Sequence, residues 1–232
     1  MTARRFALST TLFAALTFAA PSFADKTGAN ADPGTPGADS AVAQLTMAQE
    51  LYAYGIEAND PLAMLTAARI TGSISTEDVV REAKTEMIAG LDVTEEGEGV
   101  DAPVDAAMML AAAKDAAGED PALLALIEDA EAEGSRGRIG GPSKTLSRLR
   151  AGHTDVFEVP FYGGRLAELA ILGDGDADLD LVVTDENGNT ICLDRSFSDK
   201  LYCSFTPRWD GYFYVGVKNM GRIRNSYYIL TN

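Results

Sequence analysis

Residues 174–180 read Asp-Gly-Asp-Ala-Asp-Leu-Asp, and these four alternate carboxylates are the densest set of metal-type ligands in the chain. Carboxylate oxygens suit hard cations, so Asp174, Asp176, Asp178 and Asp180 are a candidate calcium site. On a strand, Asp178 and Asp180 would share a face about 6 to 7 Å apart while Leu179 and Leu181 turn into a core. The EF-hand pattern is not met, because Leu179 stands where its glycine would be. The competing reading is a solvated acidic turn. Cys192 and Cys203 are the only cysteines, and their ten intervening residues do not suit a redox Cys-x-x-Cys motif; a structural disulfide is expected. His153 is the single histidine, which excludes a histidine-rich zinc site and His-Glu-x-x-His, and no Gly-x-Ser-x-Gly elbow, P-loop or dinucleotide fingerprint occurs. The residues therefore point away from an enzyme, and His153 reads as a surface group.

The elements that position these groups begin after a processing segment. Residues 1–24 carry Arg4 and Arg5, an apolar stretch from Phe6 to Ala20, and the small-x-small sequence Ser22-Phe23-Ala24, the grammar of a cleavable signal peptide. Export to the periplasm or beyond is expected, by the general secretory or the twin-arginine route. The apolar stretch is shorter than the roughly 20 residues that span a bilayer, so no membrane insertion is expected. Export also makes the disulfide the favoured state of the cysteines.

Charge divides the remainder. The whole chain carries a net charge of -16, and residues 25–133 hold 23 Asp/Glu against 5 Lys/Arg. The next 17 residues, 134–150, hold Arg136, Arg138, Lys144, Arg148 and Arg150 and no acid. So acidic a chain is repelled by phosphate backbones and anionic lipid, which argues against nucleic acid and membrane surfaces as partners.

Five segments follow from composition and period: the signal peptide (1–24), a flexible leader (25–39), an acidic helical domain (40–133), a basic Gly-rich linker (134–152) and a strand-rich region (153–232). In the helical part, Val42, Leu45, Gln49, Tyr52 and Ile56 form one stripe. Asp60-Pro61 and Asp120-Pro121 each read as an N-cap followed by proline at the first helical position, an echo that suggests duplicated helical hairpins. Ser75-Thr76-Glu77-Asp78 is read as the cap of a third helix running through Val79, Val80 and Met87. Strands are expected at 154–161, 165–172, 178–184, 189–193, 201–205, 211–219 and 225–231, with Asn187-Gly188 as a hairpin turn. The fold class is thus α+β, a small all-α part linked to a C-terminal antiparallel β-sandwich. Along the sixth of these strands, Phe213, Val215 and Val217 fall on one face and Tyr212 and Tyr214 on the other.

Several short motifs in order carry a resemblance: Phe161-Tyr162-Gly163-Gly164, the acidic run from Gly173 to Leu181, Asp185-Glu186-Asn187-Gly188-Asn189, Phe205-Thr206-Pro207, Gly211-Tyr212-Phe213-Tyr214-Val215, and Asn225 to Tyr228. Residues 150–232 resemble the pre-peptidase C-terminal (PPC) domain. Ile223-Arg224 departs from the aromatic or valine-like pair expected there. The resemblance implies a jelly-roll-like, non-catalytic β-sandwich of secreted bacterial proteins, with relatives that bind calcium or extracellular polymers. The expected function is an exported, non-catalytic binding or accessory protein, stabilised by calcium if the aspartates gather, with an unknown protein or extracellular polymer as partner. A secreted hydrolase-associated enzyme with an unlocated carboxylate site is one alternative, and a helical partner-binding assembly protein is the other. A deep pocket with convergent carboxylates would favour the enzyme. An exposed apolar groove between helices would favour the assembly protein.

Overall fold

The computed structural model describes residues 26, 28–34, 40–91, 93, 97, 99–133 and 141–232. The expected signal peptide, with Arg4 and Arg5, and Arg136 and Arg138 of the basic stretch lie outside the described residues.

The described residues form four helices and eleven strands. Helix α1 (Ala41–Ala58) starts where the Ser40 hydroxyl accepts the Ala43 N–H, and ends at Asn59 in the left-handed region with φ 49°. The carboxylates of Asp60, Asp105 and Asp120 cap α2 (Pro61–Ser73), α3 (Ala106–Ala117) and α4 (Pro121–Glu133) by accepting orphan N–H groups of the first turn. Both Asp-Pro pairs therefore open helices, each the second of a consecutive pair.

The strands form two sheets, and except for one parallel pairing every strand pair within them is antiparallel. The six-stranded sheet runs β1 (Asp32–Pro33), β9 (Lys200–Thr206), β6 (Ala167–Gly173), β11 (Asn225–Thr231), β4 (Ser143–Leu149), β2 (Glu77–Asp78). The five-stranded sheet runs β3 (Ala83–Met87), β5 (His153–Phe161), β10 (Gly211–Asn219), β7 (Leu179–Asp185), β8 (Thr190–Asp194). Their facing sides share one core, in which Leu149, Leu169, Ile171, Tyr227 and Ile229 of the first sheet meet Phe157, Leu179, Leu181, Val215 and Val217 of the second. Phe161, Phe205 and Phe213 cluster at one end with ring centroids 4.7 to 5.7 Å apart. The period-2 pattern produces this directly, since alternate residues of each strand must leave water together. All seven expected strands are present, within a residue or two at their ends.

Three expectations are corrected. Ser75 to Met87 is not a third helix: Glu77–Asp78 pairs with β4, and Ala83–Met87 pairs with β5. Ala83 faces the core and the Thr85 hydroxyl donates to buried Asp155, while Lys84 and Glu86 point outward as an ion pair, so tertiary pairing overrides the local capping signal. The linker is also shorter than expected. Ser143–Leu149 lies inside the six-stranded sheet with Thr145 and Leu149 buried, its alternation hidden by Lys144 and Arg148. Finally, the described part of the leader does not float. Asp32–Pro33 pairs with β9, Asn30 is fully buried, and the Asn30 carboxamide oxygen accepts the N–H groups of Arg208 and Trp209.

The two sheets differ on their outer sides. Val42 and Leu45 of α1 lie on Ala170, Leu172 and Leu230, so helices roof the six-stranded sheet. Among the described residues, no helix caps the outer side of the five-stranded sheet in this way.

Candidate functional site

The four aspartates separate. Asp174 leaves β6 turned inward, where its carboxylate accepts the Asn225 side-chain N–H at 2.6 Å and the Ser226 backbone N–H at 2.7 Å. Burial pushes its carboxyl above the usual carboxylate range. Asp176 is exposed, and its N–H closes a turn onto Asp174. Asp178 is half-buried with one carboxylate oxygen unpartnered, and burial together with the nearby charge of Asp180 raises its carboxyl too. Asp180 sits on β7 opposite Lys218 of β10. Leu179 and Leu181 are fully buried between them, as the alternation requires.

Asp176 and Asp178, but not Asp174 or Asp180, line an open cleft of about 450 Å³ whose other walls include Glu50 of α1 and Phe197 to Lys200. Asp199 there is buried and committed, with Lys200 Nζ 2.6 Å away and the Gly175 N–H donating to its second oxygen. Among the described residues no group of three or more histidines, cysteines, aspartates or glutamates is arranged to hold a metal ion. Of the four aspartates, the fold brings Asp176 and Asp178 to one cleft, where Glu50 and Asp199 stand beside them.

Cys192 and Cys203 form a disulfide with a Cα–Cα separation of 6.2 Å. The bridged strands, β8 and β9, follow one another in sequence but belong to different sheets, so the bond ties the two sheets together. His153 opens β5, its Nδ1 2.9 Å from the Ala151 carbonyl oxygen.

The outer face of the five-stranded sheet carries a set of groups with a different chemistry. Tyr212 and Tyr214 are 53% and 39% exposed, while Phe213 and Val215 between and beyond them are fully buried. Tyr214 lies between Glu158 of β5 and Thr184 of β7, and Tyr212 lies beside Pro160. One step along β10, Gly216 lies between Val156 and Val182. A Cβ there would stand 2.8 Å from a Val182 methyl, so glycine leaves a dip in the face. Next to it a small hollow of about 40 Å³ is walled by Asp180, Val182, Leu193, Arg195 and Lys218. The face thus offers two rings in tandem, an apolar floor, and carboxylate, hydroxyl and ammonium groups at its margins. Alternation alone identifies the tyrosines from sequence. Glu158, Gly216 and Leu193 are brought beside them only by strand order.

No family model matches the chain, and no curated protein matches it either.

Proposed function

We propose that this chain is an exported, non-catalytic binding protein whose two-sheet body holds an extracellular polysaccharide against the open face of the five-stranded sheet. The observation that carries this reading is the exposure of Tyr212 and Tyr214 on a sheet face that, among the described residues, no helix covers. Tyrosine rings are rigid and amphipathic, giving a stacking surface at small cost in side-chain entropy, and their hydroxyls bond to hydrated groups. Sugar rings present apolar C–H faces and hydroxyl edges, which suit an aromatic pair flanked by Glu158, Thr184, Asp180 and Lys218. The order β9-β6-β11-β4 facing β5-β10-β7-β8 supports a jelly-roll-like reading of the eight strands β4 to β11. Together with the motif order it supports likeness to the PPC domain. The signal grammar of residues 1–24 supports export.

The test is retention of the chain, expressed from Asp25, on a panel of neutral and charged polysaccharides in affinity electrophoresis. Retention by at least one polymer is expected, with Tyr212→Ala and Tyr214→Ala each weakening it roughly tenfold at unchanged melting temperature. Equal retention of the doubly substituted chain, or retention by none of the panel, would overturn the reading.

A further inference from the structure

The helical layer contains a second concavity, on the side of the molecule opposite the open sheet face. Helices α2, α3 and α4 share a small core of Met64, Leu65, Ala113, Ala117, Ile127 and Ala130, but they do not close on one another. Between them lies a groove of about 700 Å³, floored by Ala68, Gly72, Ala106, Ala107, Leu110 and Ala130. This is the exposed apolar groove between helices that, among the functions open to the sequence, favours partner binding.

Its shape and charge select one kind of occupant. Ala68 and Gly72 are one helical turn apart, and with Ala106 opposite they present little side-chain bulk, so another helix can approach closely. The lip is acidic. From Asp105 to Glu133 the α3–α4 hairpin holds eight Asp/Glu against the single base Lys114, and Glu131 and Glu133 stand at the groove itself, where Arg69 of α2 is the one base among the described residues. Their internal partners are poor competitors: Arg69 reaches Glu133 at 3.9 Å and Lys114 reaches Glu131 at 3.7 Å, in pairs exposed enough to be exchanged at little cost. Apolar side chains to enter the groove and basic ones to meet its lip describe one face and the flanks of a basic amphipathic helix.

We propose that the groove between α2, α3 and α4 seats a basic amphipathic helix of a partner protein on the roofed side of the molecule. The proposal goes beyond polysaccharide binding and rests on no part of it.

The experiment titrates the chain from Asp25 with fluorescein-labelled synthetic helices of about 18 residues. One is built from Leu and Lys, one from Leu and Glu in the same pattern, and one from the Leu/Lys composition scrambled to abolish the apolar face. Saturable binding of the Leu/Lys helix is expected, at least about tenfold tighter than either control. Gly72→Leu is expected to fill the groove, since a Cβ at Gly72 meets Ala106 Cβ at 3.6 Å without clash, and to weaken binding about tenfold or more. Ala107→Trp, at an exposed position, blocks the same groove and guards against a folding defect in the first variant. Equal affinity for the scrambled peptide, or unchanged binding by the folded Ala107→Trp variant, would reduce the effect to general attraction by an acidic surface and overturn the proposal. So would a chain that is dimeric in sedimentation and made monomeric by Ala107→Trp, because the occupant would then be a second copy.

Discussion

Two buried carboxylates in this protein, Asp155 and Asp185, are consumed by structure. Asp155 is the clearest case. It is 2% exposed on β5, and it accepts the Tyr227 hydroxyl at 2.7 Å and the Ser147 hydroxyl at 2.9 Å from the other sheet, with Thr85 from β3 on its second oxygen. The cost of burying so polar a group is offset by these bonds, each fixed and shielded from water. Burial, followed by the charge of Asp155, lifts the Tyr227 hydroxyl well above its ordinary pKa, so it stays a donor. Asp185 plays the same part for the N-terminal segment. It is fully buried, and although burial opposes its ionisation, the Asn189 side chain and the N–H groups of Asn30, Asn189 and Asn187 outweigh that and hold its carboxyl below the usual range. A depressed folded pKa means stabilisation that is complete above the unfolded value of about 3.9 and is lost as pH falls through the folded value. Asp185→Asn, which turns an amide toward those donors, is expected to cost about 1 to 3 kcal/mol at pH 7. Urea midpoints of the two proteins should stay apart at pH 7 and 5 and converge at pH 3; a gap that persists undiminished at pH 3 would mean that ionisation of Asp185 is not what holds Asn30. The sequence shows that Asp174 to Asp180 are dense. It does not show that Asn225 and Ser226, some fifty residues on, donate hydrogen bonds to Asp174.

At the scale of elements, what was legible depended on how much period each element carries. Strands β5, β7 and β9 run seven to nine residues with buried and less buried positions largely in alternation, enough to identify each one and the face it buries, whereas β6 is buried along its whole length and is legible as an apolar run. Two helices were legible at their caps, where Asp60 and Asp120 stand before proline; the capping roles of Ser40 and Asp105 emerge only in the fold. Strands β1 and β2 have two residues each, and two residues have no period. Their existence is decided by the edge they join, which no local pattern encodes. The disulfide was legible as a pair but not in its place, because nothing local tells that β8 and β9, neighbours in sequence, lie in different sheets. That placement makes the bond an inter-sheet tie, closing a loop between residues 11 apart in sequence. Replacing both cysteines by serine is expected to lower stability by up to about 3 kcal/mol through the regained freedom of the unfolded chain. Equilibrium urea unfolding measures it, and reduction of the unsubstituted protein should reproduce the loss; a change under half a kilocalorie in both would deny the bond a structural role.

The whole molecule does not divide where its charge does. Composition placed a boundary near residue 134, yet β1, β2 and β3 all precede it and form three of the four outer edges of the two sheets. The helices that follow β1 roof the six-stranded sheet through Val42 and Leu45. A piece containing residues 141–232 alone would therefore bare the edges of β9, β4 and β5 and uncover Ala170, Leu172 and Leu230, all three of them buried in the whole chain. Unpaired edges recruit other chains, and an apolar sheet face in water does the same. The chain from Asp25 is accordingly expected to unfold in one calorimetric transition whose calorimetric and van't Hoff enthalpies agree. The 141–232 piece should melt lower and sediment as an associating species. Two resolved transitions in the full chain, or a 141–232 piece that is monomeric and equally stable, would restore the two-domain division that the charge pattern suggests. The single-unit outcome bears on function as well. Polymer on the open sheet and helix in the groove would then load one continuous body from opposite sides, and neither surface could be separated from the other without loss of the fold that positions both.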